Sequence, residues 1–426
     1  MEPLNRAPGR RAPALDRRRF LTLSGLAGLG WLTPASHLLA RQEEQSRKPA
    51  QSIILIWLDG GPSQLETFDP HPDTAIAAGT RAIPTAARGV LLAEGFEGLA
   101  EEMGSVALVR SVVGQEGDHE RGVCLMKTGY RPDPTAEHPS IGAICCHHLP
   151  VGPVEIPRHI SILPGQWPSR GGFLGPSYDA FQVGDPKDPL PDVLPPVPEE
   201  RDARRVRDLE VVERAFASGR AGRVGATFHR EAIDRARAMM SSEQLAAFDV
   251  SQEPESLRRS YGETPFGRAC LAARRLTEVG VRCVEVTLGG WDSHVNNHEI
   301  HRDLIRILDP ALSALIRDLR ERGQLDRTAV LCAGEFGRTP KVNPLGGRDH
   351  WPGGFSVALA GGGLRGGVVV GETDPEGVAK PAEPVSVADL HATLLTAVGL
   401  DPAIENPSAV GRPIKLSEGR PIAPLF

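Results

Sequence analysis

Several familiar catalytic signatures are missing from this 426-residue chain. It has no Walker loop and no G-x-S-x-G turn, so a P-loop nucleotide site and a serine elbow are excluded. His298-Glu299-Ile300-His301 stops short of H-E-x-x-H, because position 302 is arginine. Gly361 to Gly366 matches G-x-G-x-x-G after an apolar run, but Gly367-Val-Val-Val-Gly371 follows where a dinucleotide site needs a helix. Aromatic residues make up only 5%. The six cysteines form no C-x-x-C pair, and several sit in apolar patterns where a thiol acts as a small hydrophobe. No disulfide framework is expected. A basic excess is also missing. Residues 1–40 carry six arginines against Glu2 and Asp16, a charge of +4, so the net −6 leaves −10 on the rest. An acidic body excludes nonspecific nucleic-acid binding.

What is present starts with an address. Arg17-Arg18-Arg19-Phe20-Leu21 precedes a mildly apolar, glycine-containing run to Ala40. This arrangement resembles a twin-arginine export signal over 1–40. It implies a periplasmic or cell-surface protein, handed folded to the export machinery. Residues 41–51 form a polar linker. No other stretch reaches the ~18 apolar residues needed to span a membrane.

From Ser52 onward, apolar runs alternate with helical patterns. Runs at 52–58, 105–111, 158–163, 281–288, 328–332 and 355–360 have the composition of buried strands. Helices are expected as a short piece within 117–129 that ends at Gly129, from Pro139 through His148, over 271–279, through Leu304–Leu319 with a bend at Pro310, and over 385–398. Residues 164–199 lack periodicity and are expected to be a long loop. Together with the charged, helical stretch after them they form an insertion over about 164–265, lying on the sheet edge or the site rim. The alternation predicts an α/β fold, a mostly parallel sheet flanked by helices on both faces, in a single domain over 52–426.

Four strand ends carry acids or imidazoles: Asp59; Asp292 with His294 and His298; Glu335; and Asp349 with His350. In open α/β folds ligands gather at the carboxyl ends of strands. Asp, Glu and neutral His are ordinary ligands for divalent metals. Metal ions held this way can bind an anionic ester and activate a nucleophile. Arg121 and Arg338 are candidates to neutralise the ester through bidentate contacts.

The combination of Asp59-Gly-Gly-Pro-Ser63, Gly290-Trp291-Asp292-Ser-His294, Gly334-Glu335-Phe336-Gly-Arg338-Thr-Pro340 and Gly347-Arg-Asp349-His350-Trp351 resembles a large family of exported, sulfatase-like proteins known only as a domain of unknown function. That family is similar to the alkaline phosphatase/sulfatase superfamily, and the likeness spans nearly the whole mature chain. The resemblance implies an alkaline-phosphatase-like fold and hydrolysis of sulfate or phosphate esters, such as those on glycans. It implies one or two divalent ions (zinc, calcium, magnesium or manganese). It also implies a ligand set of Asp59, Asp292, His294 or alternatively His298, Glu335, Asp349 and His350. Sulfatases of the superfamily carry a formylglycine precursor in a C/S-x-P-S-R segment before a helix ending Leu-Thr-Gly. Here the helix ends Lys127-Thr128-Gly129, and counting back places His119 at the nucleophile position. Formylglycine chemistry is therefore not expected. His119 is left as nucleophile, general acid, ligand or mark of a degenerate site. The alternative to a hydrolase is a noncatalytic exported binding protein on the same fold.

Overall fold

The structure is a computed structural model describing residues 48–191, 193–194, 197–218 and 229–426. The expected export signal over 1–40 lies outside the described residues, as does most of the linker. Residues 49–426 form one unit built on a nine-stranded sheet. Its strands in chain order are β1 Ser52–Asp59, β2 Val106–Val113, β3 His159–Ile162, β4 Phe181–Val183, β5 Cys283–Gly289, β6 Thr328–Ala333, β7 Phe355–Gly361, β8 Val369–Val370 and β9 Val385–Ser386. The spatial order is β8-β2-β7-β6-β1-β5-β3-β4, with β9 also pairing β2. Only β7 runs against the others in this sheet; it pairs antiparallel with both β6 and β2.

The main helices are α1 Glu97–Glu102, α2 His119–Thr128, α3 Ile141–His148, α4 Glu199–Ala217, α5 His229–Met240, α6 Glu255–Ser260, α7 Pro265–Glu278, α8 Asn297–Glu321 and α9 Val387–Ala397. Alternate residues of β1 divide between two cores. Ile54, Ile56 and Leu58 pack with Leu271 and Leu276 of α7 and Leu308, Leu312 and Leu315 of α8. Ile53, Leu55 and Trp57 pack with Val123 of α2, Ile144 of α3 and Leu394 of α9. A strand covered on both faces has no polar face to show, which is why its run is apolar throughout. Each such side chain contributes about 1.5–3 kcal/mol on full burial. The expected mostly parallel sheet with helices on both faces is thus observed. Among the described residues no helix is long and apolar enough to cross a membrane.

Local departures have local causes. The helix expected from Pro139 begins at Ile141, because Ser140 caps it by accepting from the Ala143 amide. The expected loop over 164–199 contains β4, whose Phe181 and Val183 pair with Ile160 and Ile162 at the sheet edge. Three residues are too few to show a period of two in sequence. Met239 of α5 joins the same core as Val183 of β4. The helix expected over 385–398 starts at Val387; Val385 and Ser386 pair with β2 instead, and Ser386 forms a capping box with Asp389. Helix α8 continues through Pro310 to Glu321.

Candidate metal centre

Parallel pairing aligns the ends of the three central strands. Asp59 lies opposite Gly289, and Trp57 opposite Ala333, so the loops after β1, β5 and β6 leave the sheet side by side. Because β7 is antiparallel, its amino end lies at this same edge. The small hairpin before it, pairing Gly337–Arg338 with His350–Trp351, therefore joins the other loops. Helix α2 starts just beyond β2, with Asp118 capping its first turn.

Close approach of these loops depends on glycine. Gly60 has a φ of 118°, and a Cβ there would lie 2.5 Å from the Asp292 amide nitrogen. A Cβ on Gly347 would lie 1.9 Å from the His294 carbonyl oxygen.

His119, Asp292 and His350 each place a ligand atom within 4.8 Å of the other two. His119 Nε2 is 3.4 Å from Asp292 Oδ2, and His350 Nε2 is 3.2 Å from Asp292 Oδ1. His294 Nε2 joins them, 3.2 Å from Asp292 Oδ1 and 3.1 Å from His350 Nε2. The opposite nitrogen of each ring is held by an oxygen. His119 Nδ1 is 2.7 Å from Glu335, His294 Nδ1 is 3.0 Å from Asp349, and His350 Nδ1 is 2.7 Å from the Gly117 carbonyl.

This pattern fixes the protons. A backbone carbonyl only accepts, and so does an ionised carboxylate, so each Nδ1 carries the hydrogen. In the neutral rings every Nε2 is then a bare lone pair, and the atoms they face are one another and the Asp292 carboxylate. The donor given to this group by the described residues is Arg338, whose Nη2 is 2.6 Å from Asp292 Oδ1. Lone pairs so close repel unless a proton or a metal ion stands among them. Two ligands of one tetrahedral zinc at about 2.0–2.1 Å are themselves separated by roughly 3.3 Å, which is the spacing seen. Imidazoles backed by a carboxylate or backbone carbonyl are the usual support of metal-ligating histidines. The donor set therefore fits a divalent ion, and its nitrogen content suits zinc better than calcium or magnesium.

The electrostatics agree with these contacts. Burial pushes the Asp292 carboxyl up, but Arg338 and the facing imidazoles outweigh it and hold it at about 2. The hydrogen bond to Glu335 raises His119 above the ordinary imidazole value, against the pull of burial. Burial pushes His350 down. Phe336 closes the inner side, with ring centroids 5.2 Å from His119 and 4.3 Å from His350.

The expected site residues thus separate into groups. His119, Asp292, His294 and His350 converge through their ligand atoms. Glu335 and Asp349, expected among the ligands, stand behind His119 and His294 as proton acceptors; Glu335 also accepts from the Gly60 amide at 3.0 Å. Asp59 is not part of this convergence; it accepts from Trp57 Nε1 at 3.0 Å, the two sharing one face of β1. His298 is directed to Glu66, 3.3 Å distant. Neither arginine is arranged as the expected ester clamp. Arg338 is fully buried, and its guanidinium donates to the carbonyls of Gly60, Gly61, Trp291 and Arg348 besides Asp292. Arg121 forms a two-pronged pair with Glu116, at 2.6 and 3.0 Å. Sequence reasoning missed Asn343, whose Nδ2 donates to the His294 carbonyl at 3.0 Å and to Asp349 at 3.3 Å. Nothing in the sequence around Asn343 marks it off from an ordinary turn residue.

A family model described as a protein of unknown function (DUF1501) matches residues 50–426. No curated protein matches the chain. Among solved structures it is similar to Ps i-CgsB in complex with k-i-k-neocarrahexaose, at 10% identity and a TM-score of 0.39, over 83% of this chain and 73% of that one. It is similar to the PsFucS1 sulfatase from Pseudoalteromonas sp., at 14% identity and a TM-score of 0.36, over 86% and 70%. A TAB5 alkaline phosphatase mutant with Mg bound in the M3 site aligns at 11% identity and a TM-score of 0.37, over 84% and 100%. All three overlaps are loose.

Proposed function

The chain belongs to the DUF1501 family, whose description assigns no activity, and we propose that it is an exported, metal-dependent hydrolase of sulfate or phosphate esters that works without formylglycine. One observation carries this reading: three imidazole Nε2 atoms each stand 3.2–3.4 Å from the Asp292 carboxylate, with each Nδ1 proton already committed elsewhere.

His119, Asp292 and His350 would hold the ion, with His294 beside Asp292 and His350 at its outer side. When bound, it would supply Lewis acidity toward an ester oxygen and lower the pKa of water. The chain's own residues do the rest. Glu335, Asp349 and the Gly117 carbonyl hold protons at the three Nδ1 atoms and so keep every Nε2 free. Arg338 fixes Asp292 against three strand-end loops and keeps it ionised. Phe336 excludes water from the inner side. The exposed flanks of Asp292 and His294 leave the outer side open to an anionic ester. The hydrogen-bond partners of these four groups among the described residues include no Ser, Thr or Cys side chain, so water is the nucleophile in this reading.

That same lack of a side-chain nucleophile supports a second reading, a noncatalytic binding protein that keeps the ion. One set of measurements separates them. Elemental analysis should find about one divalent ion per chain, with two as the upper bound for such sites. A panel of aryl sulfates, phosphates and phosphodiesters should then show turnover that Asp292→Ala and His350→Ala abolish. Metal without turnover favours the binding protein. No metal after reconstitution removes both readings.

A further inference from the structure

The centre is open on one side only. Glu335 is fully buried and Phe336 covers the inner face, whereas the side chains of His294, Asp292 and Asp349 are 44%, 46% and 58% exposed. A substrate reaches the site past the two loops that carry His294 and Asp349, and those loops are joined. Val295 bridges Gly346, and the Asn297 amide donates to the Gly346 carbonyl at 2.9 Å. Asn343 Oδ1 accepts from the Leu345 and Gly347 amides at 2.9 and 3.0 Å.

What these loops present to solvent is apolar. Leu345 is 68% exposed and Val295 44%, with Pro344 exposed and Val342 half-buried beside them. Single exposed apolar residues are ordinary on any surface. These are held by a hydrogen-bonded loop that is itself tied to two site residues. Charge for a polyanion is scarce at the same place. Arg338 and Arg348 are fully buried, Arg121 and Arg131 share the Glu116 carboxylate, and Asp118, Glu120 and Asp349 are exposed. Lys341 is the one cation of the 341–346 loop.

We propose that Val295 and the Val342–Leu345 segment form an apolar shelf that seats the organic part of the substrate, so that the preferred ester carries an alkyl or aryl group rather than a polyanionic chain. This rests on the ester-hydrolase reading and narrows its substrate. Contact with the shelf desolvates part of the organic group while the ester oxyanion stays at the metal ligands.

The test uses zinc-loaded protein and a series of n-alkyl phosphonates, methyl to hexyl, with affinity measured by calorimetry. Affinity should rise by about twofold per methylene, half of what complete burial of each would give. Leu345→Ser and Val295→Thr should flatten that rise while methylphosphonate binding stays unchanged. Equal affinity along the series, or a sulfated oligosaccharide displacing hexylphosphonate at equal concentration, overturns the shelf alone. Failure of methylphosphonate itself to bind zinc-loaded protein overturns the ester reading and the shelf with it.

Discussion

His119 Nδ1 donates to Glu335 across 2.7 Å, linking the first turn of α2 to the loop after β6. The bond decides which nitrogen of His119 faces Asp292. Glu335→Gln keeps an acceptor for the Gly60 amide but removes the charge behind the imidazole. Metal affinity should fall about 10- to 100-fold, as for other carboxylates behind a ligating histidine. Calorimetric zinc titration checks this, with denaturation to confirm that the fold is retained.

Among the converging residues, His119→Ala, Asp292→Ala and His350→Ala should each lower metal content below one ion per chain. Asp59→Asn should leave it unchanged, since Asp59 is turned to Trp57. Elemental analysis of the four purified variants distinguishes this placement from the one in which Asp59 is a ligand.

The two arginines should behave differently. Arg338→Met leaves buried carbonyls and a partly buried carboxylate without their partner, a loss of about 3–5 kcal/mol. Arg121→Ala removes only an exposed pair with Glu116 and should leave stability almost unchanged. Urea denaturation of both variants measures the contrast. An equal cost for the two would mean that the Arg338 contacts contribute little.

Stability should decline with acid in two windows. Burial holds His301 and His391 neutral down to about 4. The unfolded chain protonates them near the ordinary value of 6.5, so it binds more protons and stability drops as pH falls from about 6.5 to 4. Burial pushes the Glu66 carboxyl up, but Arg348 outweighs it and holds it at about 2. Its contribution is complete above the unfolded value of about 4.5 and is lost as pH falls toward 2. Urea midpoints between pH 7 and 3 should follow this course. In His391→Gln the upper window should shrink.

Much of the architecture is legible in the sequence. The uniformly apolar run of Ser52–Leu58 requires cover on both faces, and it has that cover. Gly129 marks the end of α2, where it adopts a φ of 78°. The three-residue β4 was not legible, because its pairing energy comes from His159–Ile162, which is remote in sequence.

For the site, the sequence by itself determined the chemistry: carboxylates and imidazoles at strand ends, with glycines beside them. Only the tertiary structure decided which atoms meet. Spacing along a loop does not set side-chain direction, which depends on backbone turns such as that at Gly60 and on the antiparallel entry of β7. Those turns bring His119 in as a donor to the centre and send Glu335 and Asp349 behind the imidazoles. They also bury Arg338 among carbonyls from separate loops. A guanidinium satisfied by backbone has no donors to spare for an ester, and nothing in the residue's own neighbourhood in sequence encodes that.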